Sequence, residues 1–151
     1  MTNSTGINGD TGAVLSDWDH TQQSIRKILD TALESRVMRR DFGSNLPDLI
    51  DRKMIQKIIL AIYSAAASAI ARWEPRFRMR AGRVNRAGYV DNRDGKVTTG
   101  GEGGVVGVEI FGTYYPRAHH GDFTLQEERN FNYAFEVAAW ALIFQACRRR
   151  L

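Results

Sequence analysis

"AIARWEPRFRMR" (residues 69–80) is the point where one periodicity gives way to another. Before it, Met54, Ile55, Ile58, Ile59, Ile62, Ala66, Ala69, Ile70 and Trp73 recur at helical spacing, so residues 51–73 read as one long helix. Its "SAAASAI" run makes a narrow face that another helix can approach closely, and few charges fall between Lys57 and Arg72. This helix should therefore be central. Pro75 has to end it, because proline lacks an N–H and pushes the residue before it out of the helical region. Beyond the stop the period becomes two. Phe77, Met79 and Ala81 alternate with Arg76, Arg78 and Arg80, as in a half-exposed strand with an apolar inner and a basic outer face. Glu74 and Arg76 flank the proline and are expected to project from an exposed, rigid corner. Read alone they are capping and solvent charges beside a helix terminator; the alternative is a contact in which Arg76 binds a carboxylate or carbonyls through its planar fork and Glu74 accepts from a partner's donors.

Working back toward the start, Ile25, Ile28, Leu29, Ala32 and Leu33 define an amphipathic helix over about residues 19–33, which Asp17 or Asp19 could cap. Between the two helices, Gly43 marks a turn, and Ser44 or Asn45 can cap a short helical turn that tolerates Pro47 near its start. Arg36, Arg39 and Arg40 read as a solvated loop. Residues 1–12, "MTNSTGINGDTG", read as a flexible arm.

Working forward, a second strand falls near "AGYVD", followed by a flexible glycine-rich hairpin or loop over 91–104. "VVGVEIFGTYY" is a further strand, rich in β-branched and aromatic residues. The tail opens with Thr124 and Glu127 spaced as a capping box, and from Phe131 to Cys147 apolar residues fall on every side. Its alanines favour a helix, while "VAAWALIF" could also be a buried strand. The expected fold is α+β: two main N-terminal helices packed beside a small antiparallel sheet, followed by an apolar C-terminal helix. The expected division is an arm (1–12), a domain (13–115) and an extension (116–151).

Composition is that of one globular domain: 151 residues, 43% hydrophobic and 25% charged, with a net charge of +4. Cys147 is the single cysteine, so no intramolecular disulfide can form, as expected of a protein made in a reducing compartment. The uncharged apolar run from Val137 to Phe144 is too short to span a bilayer. Catalysis is not expected. Asp17, Asp19, Glu34, Asp41 and Glu74 lie mostly in polar, arginine-rich contexts, which disfavours the raised carboxyl pKa of a glycoside hydrolase. The sequence holds no nucleophile elbow and no phosphate-cradling glycine motif. His119, His120 and Asp122 in "HHGD" could face a metal, but adjacent loop histidines rarely converge on one centre, and no metal or cofactor is expected. An alternative is nucleic-acid binding through Arg76, Arg78, Arg80, Arg83 and Arg86. It lacks stacking aromatics on the same face, since Phe77 alternates to the other one.

"DHTQQSIRKILDT", "SRVMRRDFGS" and "WEPRF", in this order and spacing, resemble the contractile-tail baseplate wedge family. That family includes phage baseplate W-type proteins, sheath-initiating wedge subunits and their type VI secretion relatives, some carrying an old lysozyme-like label. The resemblance covers about residues 12–115. It departs at Glu34-Ser35, where relatives often have a glycine, and does not reach the extension after Pro116. It implies a structural, non-enzymatic virion protein of the tail baseplate, assembled in the host cytoplasm in several copies, six by family symmetry. By the same resemblance, Trp73, Glu74, Pro75 and Arg76 would dock on a core bundle of other wedge proteins. The strands within 77–115, with Val105, Val106, Val108 and Ile110, would template the first ring of sheath protein through an open edge. Tube or hub contacts would be further partners; membrane and nucleic acid would not.

Overall fold

The computed structural model describes residues 4–50, 55–85, 89–90, 97–98 and 105–136. The chain forms β1 (Thr5–Ile7), β2 (Val14–Ser16), α1 (Asp17–Asp30), α2 (Leu46–Ile50), α3 (Gln56–Trp73), β3 (Phe77–Asn85), β4 (Tyr89–Val90), β5 (Val97–Thr98), β6 (Val105–Tyr114) and β7 (Glu127–Glu136). The described residues fall into two compact units, one from 4–81 with 111–130 and the other from 82–110 with 131–136. The mixture of helices and antiparallel sheet is the expected one, and none of the described helices is long and apolar enough to cross a membrane.

In the first unit α1 packs on α3, and the short α2 packs on both. Ile25, Ile28 and Leu29 of α1 and Ile62, Ala66, Ala69 and Ile70 of α3 are buried, whereas the ends of the expected stripes are not: α1 stops at Asp30, leaving Leu33 exposed, and Ile55 before α3 is exposed. Gly43 (φ +123°) makes the turn between the two helices, and a side chain there would run into the Thr31 carbonyl. Ser44 then donates from Oγ to the Leu29 carbonyl (3.0 Å) and accepts from the Leu46 N–H (3.3 Å), capping α2 as expected. At α1 the cap differs from expectation. Ser16 is the N-cap residue, without a side-chain cap bond, and Asp17 is already helical in position, held at φ +45°.

The expected arm contains paired backbone. β1 and β2 form an antiparallel hairpin in the register Thr5–Ser16, Gly6–Leu15, Ile7–Val14. Asn8 closes its loop, its side-chain oxygen accepting from the Asp10 N–H (2.9 Å) and its backbone bonding Ala13 and Gly12.

A three-stranded sheet has the order β3-β6-β7. The Tyr115 N–H donates to the Arg76 carbonyl (2.7 Å) while Gly112 lies against the Arg78 carbonyl, so β3 and β6 run antiparallel. β4 and β5 form a separate antiparallel pair. In the second unit Val108, Ile110, Phe131 and Tyr133 are buried, and the rings of Phe131 and Tyr133 stack with centroids 6.1 Å apart.

The start of the tail departs from the expected helix. Thr124 gives both its N–H (3.0 Å) and its hydroxyl (2.7 Å) to the Asp122 carboxylate, so it closes an Asx-type turn instead of capping a helix. Residues 127–136 are then a strand, with Phe131 and Tyr133 alternating inward. The rest of the expected C-terminal helix, from residue 137, lies outside the described residues.

Candidate functional site

The Glu-Pro-Arg corner is built by the end of α3 and the start of β3. Glu74 is the C-cap residue, its N–H donating to the Ile70 carbonyl (2.8 Å), and Pro75 turns the chain into the strand. The expectation of an exposed corner fails for the charged pair: Glu74 is 2% exposed and Arg76 9%, while Pro75 between them is exposed. The reason is that the two side chains bind each other. Arg76 donates from Nε to Glu74 Oε1 (2.7 Å) and from Nη2 to Oε2 (2.9 Å), a bidentate fork that leaves neither charge unpaired in the interior. Arg76 therefore does not belong to the outward basic face that the alternation assigned to it.

The remaining arm of the guanidinium reaches the N-terminal hairpin and α1. Nη1 donates to Ser4 Oγ (3.2 Å) and to His20 Nδ1 (3.3 Å). Arginine has no acceptor, so Nδ1 must carry the lone pair, which makes His20 neutral with its proton on Nε2. Burial, with the Arg76 charge adding to it against the opposing effect of Glu74, lowers the His20 pKa. For Arg76 burial pulls the pKa down, but the Glu74 bonds and charge outweigh it and the net shift is upward. Ser4 is itself tied to α1: its N–H donates to Asp17 Oδ1 (3.1 Å), and its carbonyl accepts from the Asp17 N–H (2.9 Å). Beneath the corner, Trp18 packs on Phe77 (5.7 Å) and edge-on to Tyr114 (5.2 Å), whose burial raises its hydroxyl pKa. Sequence reasoning missed Ser4 and His20, which no local pattern links to Arg76.

Trp73 is half-buried against Phe42 (5.2 Å), with the guanidinium groups of Arg39 (5.1 Å) and Arg72 (5.0 Å) over its ring. Of the other arginines of that alternation, Arg78 and Arg80 are engaged, while Arg83 is exposed. Arg78 lies over Tyr115 (5.4 Å) and Phe123 (5.0 Å), and Arg80 pairs with Glu128 (3.6 Å). Arg86 lies outside the described residues.

The strand residues expected to meet sheath lie on β6, the middle strand of its sheet, whereas β3, also within 77–115, is an outer strand. Val108 (2% exposed) and Ile110 (0%) face the interior, and the side chains of Val105 and Val106 lie outside the described residues. His119 and His120 stand exposed in a short 3-10 turn, rings 4.0 Å apart, while Asp122 is engaged by Thr124.

Two helices thus lead through a Glu-Pro-Arg corner into an antiparallel sheet. The profile of the "Baseplate wedge protein gp25" family matches residues 16–99, more than half the chain, and the chain belongs to that family, whose place is the tail baseplate of the virion. It is similar to baseplate protein W of Escherichia phage P2, 44% identical over 71 residues, which are 47% of this chain and 62% of that protein. The chain thus spans under two thirds of the length of this relative. Among solved structures it is similar to a component of the pyocin R2 baseplate in its contracted form (31% identity, TM-score 0.50, 64% of this chain and 94% of that one). A Geobacter sulfurreducens protein bearing the name tail lysozyme shares the fold (24% identity, TM-score 0.56, 82% of this chain and 94% of that one).

Proposed function

We propose that this chain is a structural, non-catalytic baseplate wedge subunit of a contractile tail, joining the wedge core to the sheath. The observation that carries the reading is the family match over 16–99, which takes in α1, α3 and the Glu-Pro-Arg corner together. Other wedge proteins are its partners at the corner formed by Trp73, Glu74, Pro75 and Arg76. Sheath protein is its partner at the three-stranded sheet, through an outer strand, β3 or β7, that can accept a further strand by backbone pairing. Several copies, six by the symmetry of the family, surround the tail axis. No cofactor, membrane or nucleic acid enters this role. Of the arginines a phosphate backbone would need, Arg76 is buried against Glu74 and Arg78 lies over two aromatic rings, which weighs against that alternative.

The test is a charge exchange, Glu74→Arg with Arg76→Glu, in a reconstituted tail gene set. The exchanged pair can still neutralise itself inside the fold, so the chain remains soluble and helical by circular dichroism. Docking that reads the polarity of the corner is lost, and tubes without sheath accumulate in electron micrographs. Full yield of sheathed tails from the exchanged chain overturns the docking role.

A further inference from the structure

The corner that the proposed function gives to a partner is covered by the chain's own N-terminus. We propose that the β1–β2 hairpin is a displaceable occupant of the Glu-Pro-Arg corner, and that the segment replacing it is a neutral one presenting hydroxyl or carbonyl oxygens. The inference rests on the docking reading and specifies its chemistry.

Two observations point to the hairpin as occupant. Ser4 puts its hydroxyl on Arg76 Nη1 and sits beside a strand pair only three residues long on each side. Gly6 lies flat on the His20 ring, so close that a Cβ there would stand 2.5 Å from Cδ2 and 2.6 Å from Nε2. Near its base the hairpin is held by the two Ser4–Asp17 bonds, and toward its loop it is thinly anchored. Ile7 and Val14 at its far end are 69% and 77% exposed, and Gln23 holds the Ile7 carbonyl by one exposed bond (3.1 Å). A segment with exposed apolar side chains and few buried contacts opens at low free-energy cost.

The chemistry of the replacement follows from what Arg76 has left to give. Nε and one N–H of Nη2 are taken by the two oxygens of Glu74, and the pair is neutral as a whole. Nη1 now gives both its N–H groups to uncharged acceptors, Ser4 Oγ and His20 Nδ1. A second carboxylate would meet Glu74 at close range and lose solvation without a free cation to pair with. A hydroxyl or a backbone carbonyl reproduces what Ser4 supplies.

The experiment uses phenylglyoxal as the probe of arginine access, read by mass spectrometry of the peptide holding Arg76, with the exposed Arg72 as internal standard. In the native chain Arg76 reacts much more slowly than Arg72. Gly6→Val, which drives a side chain into the His20 ring, raises Arg76 reactivity about tenfold, as for a segment whose opening free energy falls close to zero. Ser4→Ala, which removes only the hydroxyl, gives a smaller rise in the same direction. If hydrogen exchange shows the hairpin open in Gly6→Val while Arg76 stays protected, the cover does not exist and the inference is overturned. In a second arm, tagged Gly6→Val and native chains compete for limited places in reconstituted tails. Preferential incorporation of Gly6→Val, insensitive across a salt series, supports a neutral replacement segment. A steep loss with salt overturns that chemistry. If Arg76 becomes reactive but incorporation is equal, the hairpin covers the corner and it is the docking reading that fails.

Discussion

Two stretches of this chain invert the ordinary placement of polarity. Glu74 and Arg76, both charged, are 2% and 9% exposed, whereas Val37 and Met38, both apolar, are 83% and 96% exposed. The first stretch goes inside because its charges are complementary and two residues apart across a proline, so the chain itself completes the bidentate pair. The second stays outside because the backbone around it is committed elsewhere. The Glu34 N–H closes the loop on the Arg40 carbonyl (2.8 Å), turns at Ala32–Ser35, Arg36–Arg39 and Arg39–Phe42 follow, and Glu34 is held at φ +65°. Arg36 over Phe42 (4.0 Å) and Arg39 over Trp73 fasten the loop by its cations, which leaves its apolar residues at the tip. Burial in this fold follows the satisfaction of bonds as much as hydrophobicity.

The comparison breaks most visibly at the ion pair. Arg76→Met leaves the Glu74 carboxylate buried and unpaired, and costs about 3–5 kcal/mol in urea unfolding. Replacing both, Glu74→Met with Arg76→Met, costs clearly less than the single change, since no charge is then stranded. A double variant as unstable as the single one would mean that Ser4 and His20, and not Glu74, give Arg76 its place.

The loop side depends on backbone, so its sensitive residue is a glycine. Gly43→Ala combines φ +123° with contact on the Thr31 carbonyl and is expected to cost about 1–3 kcal/mol of thermal stability. Unchanged melting would show that the turn can relax and that cation–ring contacts alone fix the loop.

A pH titration sharpens the corner. His20 has a lowered pKa in the folded chain, so its contribution is present above the ordinary value of 6.5 and is lost as pH falls through the folded value. Arg76 and Glu74 are the charged groups acting on it, with opposite effects. Protonation turns Nδ1 into a donor facing the Arg76 donor. The protection factors of the β1 and β2 amides, exchange taken relative to the unstructured rate at each pH, should therefore fall on acidification below about pH 6.5, and His20→Gln should flatten that dependence. The smallest effect belongs to the exposed pair: Val37→Ser with Met38→Ser should change unfolding free energy by no more than about 0.5 kcal/mol. A larger loss would show that the tip is covered in solution.

Local chemistry was enough for much of the fold. The α1 and α3 stripes, the stop at Pro75, the turn at Gly43 and the Ser44 cap each depend on residues within a few positions of one another. The tail shows where two local signals compete. Thr124 and Glu127 have the spacing of a helix cap, yet Phe131 and Tyr133 have the spacing of a strand, and Asp122, two residues before Thr124, takes the threonine for a turn. The exposed corner was misread for the same kind of reason. Alternation counted Arg76 among the outward arginines, but the turn after α3 precedes the strand and rotates Arg76 back onto Glu74.

By itself the sequence determined the elements that carry their own instructions: helices with one apolar face, a proline that stops one of them, a glycine that alone fits a left-handed turn, and the ordered motifs of the wedge family. Only the tertiary structure decided that β6 lies between β3 and β7, and that Ser4 and His20 complete the coordination of Arg76 from 72 and 56 positions away. The physical reason is that strand order and the partners of a buried charge are set by which distant groups lose least on leaving water together. That balance exists only once the chain has closed on itself.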